Sequence, residues 1–324
     1  MARERLVGGL TSLEICAGGG GQALGLEQSG FHHVGLVEVD RSSCETLRLN
    51  RPDWNVTEAD LQNFSGSAHK GIDLLAGGLP CPPFSIAGKQ LGRADERNLF
   101  PDAIRLVEEI RPRAVMIENV RGLLGAIFED YRRHISGQLK KIGYESDWKL
   151  LNAADFGVPQ LRPRVVFVAI RKGLAEKFSW PIPGKTKPST VGEALYDQMA
   201  SRGWKGARSW SKRANDIAPT IVGGSLRHGG PDLGPTRAKR AWAALGVDGH
   251  GIGDEPPERD FFGMPRLTVP MVAILQGFPR EWRFFGRKTN AYRQVGNAFP
   301  PPVAQAVGEK IRECLSRRRL FRVR

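Results

Sequence analysis

The stretch "SLEICAGGGGQALGLEQSGF" (residues 12–31) constrains the fold more than any other part of the chain. Residues 12–17 suit a buried strand, the four glycines at 18–21 form a turn, and Ala23, Leu24 and Leu26 give the next segment an apolar helical side. A strand that feeds a helix in this way opens a parallel sheet, because parallel strands need a crossover connection. The alternation continues with "HHVGLVEVD" as strand, "RSSCETLRLN" as helix, "IDLLAGG" (72–78) as strand, "LFPDAIRLVEEI" (99–110) as helix and "RAVMIENV" (113–120) as strand. The expected fold is α/β, a doubly wound, mainly parallel sheet.

With 324 residues, 40% of them apolar, the chain can fill one large domain with an insertion, or two domains. No apolar run approaches the roughly 20 residues that span a bilayer, and the N-terminus lacks a signal-peptide layout. A soluble, non-secreted protein with no membrane partner is expected. The balance of 48 Lys+Arg against 34 Asp+Glu, a formal charge of +14, favours a polyanion, nucleic acid first. An arginine-rich genome would produce the same excess without such a partner. The four cysteines, Cys16, Cys44, Cys81 and Cys314, include no C-x-x-C and stand beside no paired histidines, so neither a disulfide framework nor a metal site is expected. Three of them read as small buried apolar side chains, and Cys81 alone has unusual neighbours.

Near residue 180 the texture changes to Pro- and Gly-rich sequence with few long apolar periods, which marks a candidate boundary. Between Arg202 and Arg240 nine Lys/Arg face two Asp, with Trp204, Trp210 and His228 interspersed. Helical periodicity returns at 268–278 and at 300–315, where Val303, Val307 and Ile311 recur every four residues.

Gly18, Gly20 and Ala23 satisfy G-x-G-x-x-A, and Glu38 and Asp40 follow about twenty residues on. This suits any adenosine-type cofactor whose ribose hydroxyls need a carboxylate, and it does not separate a nicotinamide dinucleotide from S-adenosylmethionine. In "GGLPCPPFSIAG" Cys81 stands between Pro80 and the pair Pro82-Pro83, which makes a rigid connection. The third predicted strand ends at "LPCPPFS" and the fourth at "IENV", so both Cys81 and Glu118 should emerge at the carboxyl edge of the sheet. Arg162 and Arg164 of "GVPQLRPRVVFVAI" lie two residues apart at the start of another strand and should share a face. Two guanidiniums there would hold a carboxyl group and favour thiolate over thiol.

"AGGGGQALGLE", "VEVD", "PCPPFSIAGKQ", "ENV", "QLRPR" and "QVGNAFPPPVA", in that order between about residue 11 and 311, resemble the DNA (cytosine-5)-methyltransferases of the bacterial restriction-modification or Dcm type. The resemblance implies a sheet of the S-adenosylmethionine-dependent methyltransferase type with a smaller target-recognition domain. It divides the chain into a catalytic and cofactor-binding domain at 1–179, a target-recognition domain at 180–286 and a returning C-terminal helix at 287–324. The implied reaction moves a methyl group from S-adenosyl-L-methionine to C5 of a cytosine flipped out of duplex DNA, through a covalent bond from Cys81 to C6.

By the same resemblance Cys81 is the nucleophile, Glu118 grips N3 and the exocyclic amine, Arg164 fixes Glu118 and reaches O2, and Arg162 is a neighbouring contact. The implied cofactor set is Glu14, Cys16, Gly18, Gly20, Gly21, Glu38, Val39, Asp60, Pro80 and Asn297. Within it the glycines line the methionine end, Glu38 takes the ribose hydroxyls, Asp60 the adenine, and Asn297 closes the site. Cys16 replaces the usual phenylalanine and Glu14 the usual aspartate. Ser85, Lys89, Gln90 and Arg97, in the segment after the cysteine, are placed on the DNA, with Arg227 and His228 of "GGSLRHGG" as base-edge contacts. Double-stranded DNA is the expected partner, with no metal and no membrane, for a monomer in the bacterial cytoplasm beside the nucleoid. A restriction endonuclease would be paired with it in function without stable association.

Two rivals remain. A tRNA cytosine-5 methyltransferase shares this fold, and a nicotinamide-dependent oxidoreductase rests on the glycine pattern alone, leaving Pro-Cys and Glu-Asn-Val unexplained. A catalytically inactive DNA-binding module is disfavoured because every catalytic motif residue is present.

Overall fold

A computed structural model of the chain describes residues 9–80, 98–184, 187–224 and 230–316. The first part alternates as β1 (Leu10–Ile15), α1 (Gly21–Gln28), β2 (Phe31–Glu38), α2 (Arg41–Asn50), β3 (Val56–Glu58), β4 (Leu74–Gly78), α3 (Phe100–Ile110), β5 (Ala114–Val120), α4 (Glu129–Lys141), β6 (Tyr144–Asn152) and β7 (Pro163–Arg171). Six further α-helices follow among the described residues: α5 (Val191–Ala200), α6 (Ala207–Arg213), α7 (Thr236–Ala244), α8 (Val269–Leu275), α9 (Lys288–Asn297) and α10 (Pro301–Ser316).

The strands form one sheet in the order β3-β2-β1-β4-β5-β7-β6. β1 to β5 pair in parallel, and β7 runs antiparallel between β5 and β6. The doubly wound, mainly parallel sheet expected from the alternation is therefore present. From β1 the chain winds outward to β3, then returns to the other side of β1 as β4, so the strand order reverses between β1 and β4. Ligands in such sheets bind at this reversal, beyond the carboxyl ends of the strands.

Side chains alternate across the sheet and sort into two cores. Leu13, Ile15, Leu75, Val115 and Ile117 pack against α3, whose Phe100, Ala103, Ile104, Val107 and Ile110 recur at helical spacing. Each large side chain buried there contributes about 1.5–3 kcal/mol. On the other face Leu74, Ala76, Met116, Val166 and Val168 meet Leu26 of α1 and Val303, Val307 and Ile311 of α10, the three positions predicted from their four-residue spacing.

A further apolar cluster is built largely from residues 191–298, with Leu24 of α1 joining it. Thr190 starts α5 through a reciprocal cap with Glu193, a device worth about 1 kcal/mol. Trp204 and Trp210 belong to this cluster, at 8% and 5% exposure, so the tryptophans interspersed in the basic run are core residues and present no aromatic surface. Among the described residues, three of the cations counted between 202 and 240 are ion-paired: Arg202 with Glu258, Lys205 with Asp260 and Lys239 with Asp232. Of the C-terminal stretch, α9 adds Tyr292 and Val295 to this cluster while α10 returns to the sheet. No helix among the described residues is long and apolar enough to cross a membrane.

Candidate active site

The carboxyl ends of β1, β2 and β3 bring Cys16, Glu38 and Asp60 together. After β1 the backbone enters the left-handed region at Cys16 (φ 51°), Gly18 (φ 53°) and Gly20 (φ 87°), which turns the chain back over the strand ends. Gly21 must lack a side chain, since a Cβ there would stand 2.2 Å from the Phe299 carbonyl oxygen. At Gly18, by contrast, a Cβ would meet nothing within 4 Å among the described residues.

Glu38 organises the turn. Its Oε2 accepts from the Gly18 N–H at 2.7 Å, and its Oε1 from the N–H groups of Val39 (2.9 Å) and Asp40 (2.8 Å). A carboxylate offers about four lone-pair sites, so Oε2 keeps one for an incoming hydroxyl. Burial raises the Glu38 pKa, and the three backbone donors oppose that shift. Val39 is exposed beside it, as is Asp60. The half-buried Cys16 thiol is pushed up by burial and then by the charges of Glu38 and Asp60, which leaves it a neutral apolar group. These residues fit an adenosine-type cofactor: a spare carboxylate acceptor, a glycine turn and an uncharged thiol beside them.

Glu14 lies on the sheet face that carries Ala76, at 0% exposure, and neither carboxylate oxygen has a hydrogen-bond partner among the described residues. Burial holds its pKa well above the usual carboxyl range. Asn297 is exposed, and its side-chain amide donates to the Gly224 carbonyl at 3.2 Å. The glycine turn instead meets the neighbouring Ala298 and Phe299.

Across the order reversal, β4 pairs Gly78 with Glu118 of β5, and β5 pairs Val120 with Arg164 of β7. In an antiparallel ladder this sets Arg164 diagonal to Glu118 on one face, within reach of a long side chain. Arg164 Nε stands 2.9 Å from Glu118 Oε1, with both side chains largely buried. Burial raises the Glu118 pKa, and the charges of Arg164 and Arg162 pull it back. The carboxyl lies against β4 at Gly78, where a Cβ would meet Glu118 Oε2 at an ordinary contact distance of 3.5 Å.

Asn119, the middle residue of "ENV", donates from Nδ2 to the Leu79 carbonyl at 3.3 Å and so ties the end of β5 to the residue before Pro80. Its role was missed from the sequence, where the only signal was an amide between a carboxyl residue and the end of a strand. Arg162 acts on Glu118 through its charge, and its side chain is also anchored elsewhere. It is completely buried, and its guanidinium donates to the carbonyls of Ile221, Gly296 and Ala298 at 2.6, 2.7 and 3.0 Å. Cys81, Ser85, Lys89, Gln90, Arg97, Arg227 and His228 lie outside the described residues. Among the described residues no cluster of three or more His, Cys, Asp or Glu is arranged to hold a metal ion.

The family model for C-5 cytosine-specific DNA methylase matches residues 10–313. The Type II methyltransferase M.NgoMIV of Neisseria gonorrhoeae is 54% identical over 316 residues, covering 95% of this chain and 98% of its own. The Type II methyltransferase M.NaeI of Lentzea aerocolonigenes is 56% identical over 313 residues, covering 95% of this chain and 76% of its own. The solved structure of the Entamoeba histolytica methyltransferase EhMeth shares the fold at a TM-score of 0.66 and 15% identity, covering 95% of this chain and 99% of that one. The chain belongs to the C-5 cytosine-specific DNA methylases and is a DNA cytosine-5 methyltransferase.

Proposed function

We propose that this methyltransferase modifies one short site in double-stranded DNA, as the modification partner of a restriction endonuclease, by covalent catalysis on a cytosine swung out of the helix. The Glu118–Arg164 pair carries this reading: a buried carboxyl held at 2.9 Å by a guanidinium, one strand from the Leu79–Pro80 step that leads to Cys81. The target atom is inaccessible within stacked bases, so the base must leave the stack to reach such a pocket.

When bound, S-adenosyl-L-methionine supplies an electrophilic methyl group on a sulfonium. Gly18, Gly20, Gly21, Glu38, Val39, Asp60 and Pro80 would hold it at the sheet edge, with the free lone pair of Glu38 Oε2 taking a ribose hydroxyl. Glu14, Cys16 and Asn297 complete the set. The Cys81 thiolate bonds to C6, and the electrons of the C5–C6 double bond move to C5, which accepts the methyl group. Glu118 shares a proton with N3 as charge builds on the ring, and Arg164 keeps the carboxyl aimed there. Loss of the C5 proton to a water base restores the double bond and expels Cys81. Residues 1–179 provide this chemistry, residues 180–286 read the site, and residues 287–324 return to the sheet. The protein works as a cytoplasmic monomer at the nucleoid, with basic residues such as Lys89 and Arg97 on phosphates and Arg227 and His228 on base edges.

The test is expression in a host free of cytosine methylation, followed by bisulfite mapping of its DNA and of its tRNA. A single short motif bearing 5-methylcytosine is expected. A duplex of that motif with 5-fluorocytosine at the target should then form an adduct that survives denaturation and maps to Cys81, because the fluorinated ring has no C5 proton to lose. Methylation confined to tRNA, or turnover without an adduct, overturns the proposal.

A further inference from the structure

Three completely buried polar side chains outside the Glu118–Arg164 pair, Gln160, Arg162 and Gln276, form one hydrogen-bonded cluster. Gln160 Oε1 accepts from the Ile221 N–H at 2.9 Å, and Arg162 Nη1 donates to the Ile221 carbonyl at 2.6 Å, so two side chains from one tripeptide take both polar groups of that residue. The backbone repeats the attachment: Ala218 N donates to the Pro159 carbonyl at 3.0 Å, Leu161 N to the Ala218 carbonyl at 2.8 Å, and Thr220 Oγ1 to the Leu161 carbonyl at 2.5 Å. Residues 218–221 are thus laid in a fixed register along 159–162, immediately before the strand that carries Arg164. Gln276, the residue that caps the end of α8, completes the cluster, accepting from Gln160 Nε2 at 2.6 Å and donating to the Ala298 carbonyl at 2.7 Å. Arg162 reaches the same Ala298 carbonyl and that of Gly296, at the end of α9. Gly296 and Gly223 meet backbone to backbone, since a Cβ on Gly296 would lie 2.4 Å from the Gly223 Cα.

Such a cluster is a costly way to join two cores. Each side chain gains only about 0.5–1.5 kcal/mol per net hydrogen bond, whereas apolar packing would need no partners at all. What a polar cluster provides and apolar packing does not is register, because a slip by one residue would leave buried donors and acceptors unmet. Ala218 and Ile221 are core residues of the 191–298 cluster, so fixing them fixes that cluster against β7.

We propose that Gln160, Arg162 and Gln276 are positioning residues for sequence discrimination: they hold the part of the chain that reads DNA in one register against the catalytic strand. A cytosine then reaches Glu118 only when the flanking bases fit. This rests on the site-specific DNA methylation proposed above. It also gives Arg162 a role through the Ile221 backbone in place of a direct contact with the base.

The experiment compares the full-length chain with Gln276→Met, which keeps the volume and loses both hydrogen bonds, and with Thr220→Val, a milder change that removes one clip from the same segment. Tyr144→Phe is the control, because it deletes an equally buried hydrogen bond, Tyr144 Oη to the Pro112 carbonyl at 2.6 Å, at the opposite end of β6. Each chain is expressed in a host free of cytosine methylation, and its methylation motif is mapped genome-wide. Gln276→Met and Thr220→Val are expected to spread methylation to sites differing at one base, with the ratio of kcat/KM on the mapped site to that on such a neighbour falling about tenfold for Gln276→Met. S-adenosylmethionine affinity by calorimetry should stay within twofold. A motif as sharp as that of the unaltered chain in both variants overturns the inference, as does equal relaxation in Tyr144→Phe, which would mark a general loss of rigidity. If the unaltered chain methylates no DNA, the function proposed above fails instead.

Discussion

Arg164 reaches Glu118 diagonally across the β5–β7 ladder, Nε to Oε1 at 2.9 Å, while its Nη1 turns back to the Pro163 carbonyl at 2.9 Å. The side chain is thereby fixed at two points, and the carboxyl it holds is buried. Burial raises the Glu118 pKa, and the Arg164 charge is the largest influence opposing that rise. The pair sets both where the carboxyl points and how readily it shares its proton.

Arg164→Lys keeps the charge and loses the planar fork, so it is not a conservative change here. The Glu118 carboxyl should turn away from its aim while remaining buried. We expect kcat for methyl transfer to fall about 10²–10³-fold, the range for loss of one preorganised charge-stabilising group, with little change in KM for S-adenosylmethionine. Transfer of a tritiated methyl group to duplex DNA measures it, and a kcat within twofold of the unaltered enzyme would remove Arg164 from the machinery.

Glu38→Gln replaces an acceptor of three backbone N–H groups with a side chain whose amide nitrogen must face at least one of them. The glycine turn loses its tie through Gly18, and the spare lone pair for a ribose hydroxyl is lost or misplaced. Cofactor affinity by calorimetry should drop about 10–100-fold, equivalent to about 1.4–2.8 kcal/mol. Unchanged affinity would show that Glu38 serves the turn alone.

The parallel half of the sheet was legible because its strands are short apolar runs between helices of clear period. The expected strand 113–120 and helix 99–110 fall within a residue of β5 and α3. What could not be read was the antiparallel insertion of β7 between β5 and β6, since strand direction there depends on tertiary pairing and not on local pattern. The same limit applies to Trp204 and Trp210: no local pattern in a basic run tells that a core lies beneath it. Glu118 and Arg164 were found together because motif spacing and strand ends both pointed there. Arg162 reads as a neighbouring contact, and its bond to the Ile221 carbonyl depends on tertiary placement that no local pattern reveals.

Glu14 should make stability depend on pH in a defined direction. Its folded pKa is raised by burial, so the folded chain holds a proton that the unfolded chain has released once pH exceeds the usual carboxyl value, about 4.3. Where the folded state binds more protons, stability falls as pH rises. The loss therefore begins near that value and is complete above the raised pKa. Glu118 and Glu38 act in the same sense. Glu14→Gln removes one such contribution, and melting curves from pH 5 to 8 should show a flatter slope with a Tm higher by about 2–4 °C at the alkaline end. A parallel, unshifted curve would mean that Glu14 is solvated after all.

Two helical glycines should respond oppositely to alanine. Gly→Ala in a helix interior gains about 1 kcal/mol from backbone entropy alone. Gly137 in α4 has nothing among the described residues within 4 Å of an added Cβ, so Gly137→Ala should realise that gain. Gly25 in α1 faces α10 at close range, where a Cβ would stand 2.3 Å from the Pro301 carbonyl oxygen and 2.6 Å from the Ala304 Cβ. Both obstacles sit at or near the backbone of a helix that packs on the sheet and cannot swing aside. Overpacking of this kind costs about 1–3 kcal/mol or more, which outweighs the propensity gain. Gly25→Ala should therefore lower the urea midpoint, and its shift should reverse in sign relative to Gly137→Ala in the same buffer. Two shifts of the same sign would mean that the α1–α10 contact yields more easily than its atomic distances imply.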